Sequence, residues 1–198
     1  MTTVALFHSV LGIRQGELDA AERLRADGHQ VLLPDLFEGK VFDSYEPAMA
    51  ASETLGMETL FERGLAALAD LPDGFVVGGF SQGSSIGAFV ATRRTVSGVL
   101  QFSGLSVLEW LGDGAAWPAG VDSQGHQTLG DPFREAEITE QAVQDVTAAG
   151  GLLELFDYPG DGHLFTDPTL PEEYDAEATE LLWSRVLPFV QRCGASDR

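Results

Sequence analysis

Residues 78–87, GGFSQGSSIG, constrain the fold more than any other stretch of the sequence. The apolar, valine-rich run 74–80 precedes Ser81 and is typical of a buried parallel strand, and the apolar residues that follow are typical of a buried helix. Gly79 and Gly83 flank the serine in a G-x-S-x-G string, at positions where side chains would collide with a neighbouring strand or helix. The pattern therefore predicts a sharp strand-to-helix turn that exposes the Ser81 hydroxyl.

This turn has two other interpretations. An ordinary glycine-rich turn is the simplest one, because the chain contains 23 glycines. A phosphate cradle at a helix N-terminus is the other, but neither a G-x-x-x-x-G-K-[ST] string nor a clean G-x-G-x-x-G string occurs here. A strand before the serine and a helix after it favour a nucleophile elbow, the turn that presents the catalytic serine of α/β-type hydrolases.

The rest of the chain predicts alternating strands and helices, which is typical of right-handed crossover units in a parallel sheet. The predicted strands are 3–7, 30–34, 74–80, 98–102, 121–130 and 152–158. The predicted helices are 15–27, 44–70 with a break near Gly56, the stretch after Ser81 to residue 94, 134–149, and a closing helix from a capping box at 169–172 to residue 190. The fifth of these strands, VDSQGHQTLG, is unusually polar for a buried strand.

We therefore predict one α/β domain over residues 1–198. Its architecture is a three-layer α/β-hydrolase fold, with a mostly parallel sheet of about six strands, helices on both faces and no large cap domain. In the first helix, the spacing of Leu18, Ala21 and Leu24 predicts that these three side chains face the core.

Charge and cysteine content restrict the classes of partner. The chain has 31 acidic and 11 basic residues, a formal net charge of -20, which argues against nucleic-acid or membrane binding. Its one cysteine, Cys193, allows no intrachain disulfide, and the sequence begins without a signal-peptide pattern. We therefore expect a cytoplasmic protein with a small-molecule substrate. The protein could assemble as a homodimer. No metal or organic cofactor is expected, because no His/Cys cluster has zinc spacing.

Three residues fit a nucleophile, a base and an acid. Ser81 needs a base, because a serine hydroxyl is weakly nucleophilic on its own. His163 follows the last predicted strand, and Asp131 follows the fifth, so both are expected at the sheet edge that carries Ser81. The order Ser81, Asp131, His163 is that of α/β-hydrolases. Asp161 and Asp113 are alternative acids.

Two backbone N–H groups are expected to donate hydrogen bonds to the oxyanion that forms during the reaction. One is the amide of Gln82, and the other comes from the loop after the first strand, most plausibly at Val10. Four further residues are candidates for the lining of a substrate pocket: His8, Ser9, Trp110 and Phe165.

These residues together resemble the dienelactone hydrolase family, a branch of the α/β-hydrolases without a cap domain. The likeness spans nearly the whole chain. It rests on Leu11-Gly12 after the first strand, the G-x-S-x-G string, the D-P-F triplet at 131–133, and Tyr158-Pro159 followed by the G-H-L-F string at 162–165. The D-P-F triplet together with the Y-P-x-x-G-H-x-F string is more specific than the elbow. The resemblance implies an α/β-hydrolase fold and hydrolase chemistry.

Three positions depart from the family pattern. Characterised members carry cysteine where this chain has Ser81, and a glutamate where it has Ser9. Their arginine shortly after the histidine has no match, since Thr166 and Asp167 follow Phe165. An acidic residue there is expected to repel an anionic lactone, so the resemblance supports serine-hydrolase chemistry more than dienelactone as the substrate.

The function expected from the sequence is hydrolysis of a small ester, thioester or lactone through an acyl-serine intermediate. A non-catalytic ligand-binding or regulatory protein on the same fold is the main alternative, because fold does not dictate function and the polar segment before Asp131 could misplace the acid. Cleavage of peptides or acyl-peptides is a third possibility.

Overall fold

A single parallel sheet organises the computed structural model, which describes residues 1–195. Its strands are β1 Thr3–Phe7, β2 Gln30–Leu32, β3 Phe75–Phe80, β4 Val96–Phe102, β5 Ser123–Thr128 and β6 Leu153–Tyr158. They lie in the order β2-β1-β3-β4-β5-β6, and every neighbouring pair is parallel. The order reverses at β1, so the carboxyl ends of β1 and β3 border a crevice of the kind in which α/β proteins bind ligands.

Helices cover both faces of this sheet. They are α1 Gln15–Ala26, α2 Tyr45–Leu55, α3 Met57–Ala67, α4 Gln82–Ala91, α5 Ala136–Ala148 and α6 Ala176–Ala195, with a short 3-10 helix at Leu108–Leu111. Alternate side chains of β1 enter two separate cores: Val4 and Leu6 pack with α1 and α6, and Ala5 and Phe7 pack with α3 and α4. The predicted three-layer α/β architecture is confirmed.

The polar fifth strand forms as predicted, and all six of its residues are buried. Ser123 and Gln124 are buried at low cost because neighbouring elements supply hydrogen bonds. Gln101 donates to the Ser123 hydroxyl at 3.1 Å, and the Gln124 amide donates to Glu154 at 3.0 Å. These partners come from β4 and β6, which explains why the strand looks unsuited to burial when its own sequence is read alone.

The predicted burial of Leu18 in α1 is wrong. Its side chain is 44% exposed, whereas Ala21 and Leu24 are buried as predicted. The helix is rotated to bring Glu17 inward, where its carboxylate accepts hydrogen bonds from the backbone N–H groups of Ser9 and Arg14, both at 3.0 Å. Two satisfied backbone donors therefore outweigh the exposure of one leucine.

The closing helix begins later than predicted. Its first residue is Ala176, and Asp175 caps it by accepting a hydrogen bond from the Ala178 N–H at 2.9 Å. Thr169, the predicted cap, instead donates its hydroxyl to Asp167 at 2.6 Å. The break predicted near Gly56 is confirmed, since this glycine separates α2 from α3 with a φ of +79°. Within residues 1–195, no helix is long and apolar enough to cross a membrane.

Candidate active site

The backbone at Ser81 adopts a conformation that few non-glycine residues adopt. Its φ is +53°, and the turn is held by a 2.7 Å hydrogen bond from the Ser81 N–H to the Phe102 carbonyl on β4. A Cβ atom at Gly79 would collide with the backbone of Gly83, and one at Gly83 would collide with the Phe7 carbonyl. The two glycines let β3, α4 and β1 approach closely enough to hold this strained turn.

The His163 ring joins Ser81 to Asp131. Its Nε2 atom lies 2.7 Å from the Ser81 hydroxyl oxygen, and its Nδ1 atom lies 2.7 Å from a carboxylate oxygen of Asp131. A carboxylate only accepts hydrogen bonds, so the proton is on Nδ1 and Nε2 is free to accept from the serine. His163 and Asp131 are 5% and 6% exposed. The carboxylate that contacts His163 is therefore that of Asp131, and not that of Asp161 or Asp113.

The turn at Asp131 fixes the orientation of its carboxylate. The second carboxylate oxygen accepts a hydrogen bond from the Phe133 N–H at 2.8 Å, so each oxygen has one defined donor. The Phe133 ring lies against the His163 ring with centroids 4.6 Å apart. The D-P-F triplet thus orients the Asp131 carboxylate and also supplies an aromatic ring that packs against the imidazole of His163.

Glu173 holds the loop that carries His163. Its carboxylate accepts hydrogen bonds from the Leu164 N–H at 2.7 Å and from the Tyr45 hydroxyl at 2.8 Å. The Tyr45 ring also packs edge-on against His163, with centroids 5.9 Å apart. Burial, together with the Glu173 carboxylate, raises the pKa of Tyr45 above its usual range, so the phenol keeps its proton and donates it. One end of α2 is thereby tied to the histidine loop.

The two predicted oxyanion donors face the same space as Ser81. Val10 and Gln82 both line the cavity beside the serine, and within residues 1–195 neither backbone N–H has a hydrogen-bond partner. The Gln82 side chain donates to the Met57 sulfur at 3.2 Å and also to the Ser52 hydroxyl. These contacts tie the residue after Ser81 to the junction of α2 and α3.

The Ser81 hydroxyl and the His163 ring open onto a cavity of about 560 Å³, a size typical of small-molecule sites. Its rim contains large apolar side chains that are one third to one half exposed: Met49, Met57, Trp110 and Phe133. Its lining includes the carboxylates of Glu53 and Glu135, and no lysine or arginine is among the described lining residues. An uncharged or cationic molecule with an apolar part fits these walls better than an anion does.

Of the four predicted pocket residues, only Trp110 lines this cavity. The His8 ring is buried beneath it and accepts a hydrogen bond from the Leu36 N–H at 3.1 Å, and burial lowers the pKa of His8. The Ser9 hydroxyl accepts from the Leu11 N–H at 3.3 Å. Phe165 is 1% exposed and packs against Tyr158 in the core. His8 and Ser9 therefore shape the loop, and Phe165 anchors the chain after His163.

The expectation that Asp167 repels an anionic substrate is also wrong. Asp167 is 2% exposed, and its carboxylate accepts a 2.8 Å hydrogen bond from the Arg14 guanidinium. Arg14 also donates to the Phe42 carbonyl at 2.7 Å. The pair crosslinks α1 to the loop after β6 and lies outside the cavity lining, so any repulsion of anions there comes from Glu53 and Glu135.

Sequence reasoning missed Tyr45, Glu173 and Gln127. The first two support His163 from positions separated by 128 residues, and no local pattern signals such a contact. Gln127 lines the cavity, and the alternation of β5 places it on the face opposite His126. That alternation was available in the sequence as a signal. No group of three metal-ligating side chains lies together in the described part of the chain.

Comparisons with known proteins agree with this architecture. The dienelactone hydrolase family model matches residues 1–194. A dienelactone hydrolase-like promiscuous phosphotriesterase from metagenomic libraries is 19% identical and has a TM-score of 0.82, with 98% of this chain and 87% of that chain covered. A phospholipase/carboxylesterase from Dyadobacter fermentans is 16% identical and has a TM-score of 0.67, with coverage of 94% and 90%. At these identities the likeness shows the fold. No curated protein sequence matches.

Proposed function

The chain belongs to the dienelactone hydrolase family, and we propose that it hydrolyses small esters, thioesters or lactones through an acyl-Ser81 intermediate. The observation that carries this proposal is the hydrogen-bonded series from Ser81 through His163 to Asp131, with both contacts at 2.7 Å, at the wall of an accessible cavity. Nucleophile, base and orienting acid are within the distances that proton transfer requires.

In the first half of the proposed reaction, the Ser81 oxygen attacks the substrate carbonyl while its proton moves to Nε2 of His163. Asp131 keeps the other ring nitrogen protonated and stabilises the resulting imidazolium. The N–H groups of Val10 and Gln82 donate to the oxyanion, a contribution that typically accounts for about 10²- to 10³-fold in rate per donor. The imidazolium then protonates the leaving group as the carbon–oxygen or carbon–sulfur bond breaks.

In the second half, a water molecule replaces the leaving group. His163 takes its proton as the water oxygen attacks the acyl carbon, and returns that proton to the Ser81 oxygen when the acyl bond breaks. The products are the carboxylic acid and the free serine. The order of events requires that Nε2 be accessible from the cavity, and the position of His163 in the cavity lining supports this.

We also propose that the protein acts in the cytoplasm on a small molecule and binds neither nucleic acid nor membranes. The formal net charge of -20 argues against nucleic-acid and membrane binding, because anionic surfaces would repel the protein. Burial raises the pKa of the Cys193 thiol to about 11, so the sole cysteine is a poor nucleophile and Ser81 has no thiol competitor. Assembly as a homodimer stays a prediction.

The alternative of a non-catalytic binder rested partly on a misplaced acid. The 2.7 Å contact between the Asp131 carboxylate and Nδ1 of His163 favours the hydrolase over that alternative. The peptide-directed alternative has no specific support, because the described cavity is of small-molecule size.

The proposal is tested by rapid-quench intact-mass analysis during hydrolysis of 4-nitrophenyl butyrate. We expect a butyryl adduct on Ser81, with turnover and adduct both lost in a folded Ser81→Ala variant. Ser85→Ala is the matched control, since this cavity serine contacts Ser106 rather than His163 and should keep the adduct. Undiminished turnover in Ser81→Ala would contradict the proposal.

A further inference from the structure

The side chain of Gln127 is a polar group without a partner at the cavity. It is 6% exposed, yet it lines the cavity, and its amide makes no hydrogen bond to any residue in the described range 1–195. Its neighbours on β5 behave differently, because His126 and Thr128 are both hydrogen-bonded on the opposite face of the sheet. Its amide atoms are not fully buried, unlike the Ser103 hydroxyl, so they open onto the cavity and offer two donors and one acceptor to a ligand there.

A second polar group without a protein partner in residues 1–195 directly follows the neighbouring strand. Ser103 follows β4 with a φ of +56° and is joined to β5 by a 2.8 Å hydrogen bond from its N–H to the His126 carbonyl. Its hydroxyl is buried without a hydrogen-bond partner, and the residue lines the same cavity as Gln127. A residue of β5 and the residue directly after β4 thus bring two neutral polar side chains to one wall of the cavity.

The charges and apolar walls around these groups restrict what can bind there. Glu53 and Glu135 are the charged residues of the lining, and their carboxylates have no cationic partner within residues 1–195. Leu105 and Ile138 line the cavity together with Gln127. A carboxylate substituent would meet like charge with no counter-ion, whereas a purely alkyl substituent would displace water from the Gln127 amide without replacing its hydrogen bonds.

We propose that Gln127 determines specificity by binding an uncharged hydrogen-bonding group on an otherwise apolar substrate. The substrate class is then esters or thioesters that carry an amide, hydroxyl or similar neutral group, and not a free carboxylate. This inference rests on the proposed hydrolase function and specifies its substrate. Gln127 takes no part in bond making or breaking, and it discriminates by hydrogen-bonding a group remote from the reacting carbonyl.

The test compares kcat/KM for three matched series of 4-nitrophenyl esters whose acyl chains, of increasing length, end in a carboxamide, an isosteric branched alkyl group or a carboxylate. At the best chain length, we expect the parent to prefer the carboxamide over the alkyl ester by about 3- to 10-fold. We expect it to disfavour the carboxylate by about 10-fold, with this penalty reduced in high salt, because Glu53 and Glu135 are exposed.

Two variants assign the preference to Gln127. Gln127→Met keeps the side-chain size and removes the amide, so the ratio of carboxamide to alkyl ester should fall to about one. Met49→Leu is the matched control, because it changes an apolar rim residue and should alter the carboxamide and alkyl esters in parallel. An unchanged ratio in Gln127→Met, or a parent that prefers the carboxylate, would overturn this inference while the hydrolase function stands. Hydrolysis of none of the esters, with no acyl adduct on Ser81, would overturn both.

Discussion

All four histidines of this protein are buried with both ring nitrogens in hydrogen bonds, yet the surroundings of His126 and His163 differ. His126 lies inside the sheet, with Nδ1 2.8 Å from the Tyr158 hydroxyl and Nε2 3.2 Å from the Gln124 amide oxygen. His163 lies at the carboxyl edge, between the Asp131 carboxylate and the Ser81 hydroxyl. The hydrogen-bond partners of the first ring are neutral, whereas a carboxylate supports the second.

This difference in partners decides which of the two imidazole rings can take up a second proton. Burial, followed by the nearby Arg185 guanidinium, lowers the pKa of His126 to about 3. His163 can accept the serine proton, because Asp131 balances the positive charge of the imidazolium. The comparison teaches that burial with two neutral hydrogen-bond partners makes a histidine structural, whereas a carboxylate partner together with access to a cavity suits a histidine to catalysis.

The largest expected effect comes from changing the Nδ1 partner of each ring. Asp131→Asn removes the carboxylate and favours the wrong tautomer of His163, so kcat for 4-nitrophenyl butyrate should fall about 10⁴-fold. Tyr158→Phe, the matched change at His126, should lower the free energy of unfolding by about 1 to 3 kcal/mol and leave kcat within a few-fold. Equal losses of kcat in the two folded variants would break the comparison.

The pH dependence of the unfolding free energy should show that His126 is held neutral in the folded protein. Since the folded-state pKa of His126 is depressed, its stabilising contribution is complete above the unfolded value of 6.5 and is lost as the pH falls toward about 3. Between pH 7 and pH 5 this costs about 2 kcal/mol. His126→Gln cannot titrate, so its unfolding free energy, measured in urea at both pH values, should fall by about 2 kcal/mol less than that of the parent. Parallel pH profiles for the two proteins would show that His126 is not held neutral.

The smallest effect is expected at the support of the histidine loop. Tyr45→Phe keeps the ring against His163 and removes only the hydrogen bond to Glu173, so kcat should fall by about 2- to 10-fold. The loosened loop should also alter the pH profile of kcat, a result that a purely structural role would not produce. Tyr174→Phe, at an exposed tyrosine, is the matched control. An increase in KM with kcat unchanged would place Tyr45 in substrate binding instead.

The sequence predicted what depends on local pattern. The strands, the break at Gly56 and the shared edge of Ser81, Asp131 and His163 all follow from apolar runs, glycines and strand order. Contacts between distant segments could not be predicted in this way. Leu36 satisfies His8 from another loop and withdraws it from the cavity, and Arg14 neutralises Asp167, which the sequence alone presents as a free charge.

Fluorophosphonate labelling with intact-mass and peptide analysis, applied to the parent, His163→Gln and His126→Gln, shows which histidine activates Ser81. Such probes react with an activated serine whatever its natural substrate is. We predict one adduct on Ser81 in the parent and in His126→Gln, and none on the same timescale in a folded His163→Gln variant. Equal labelling of Ser81 in all three proteins, or its absence from the folded parent, would contradict the account.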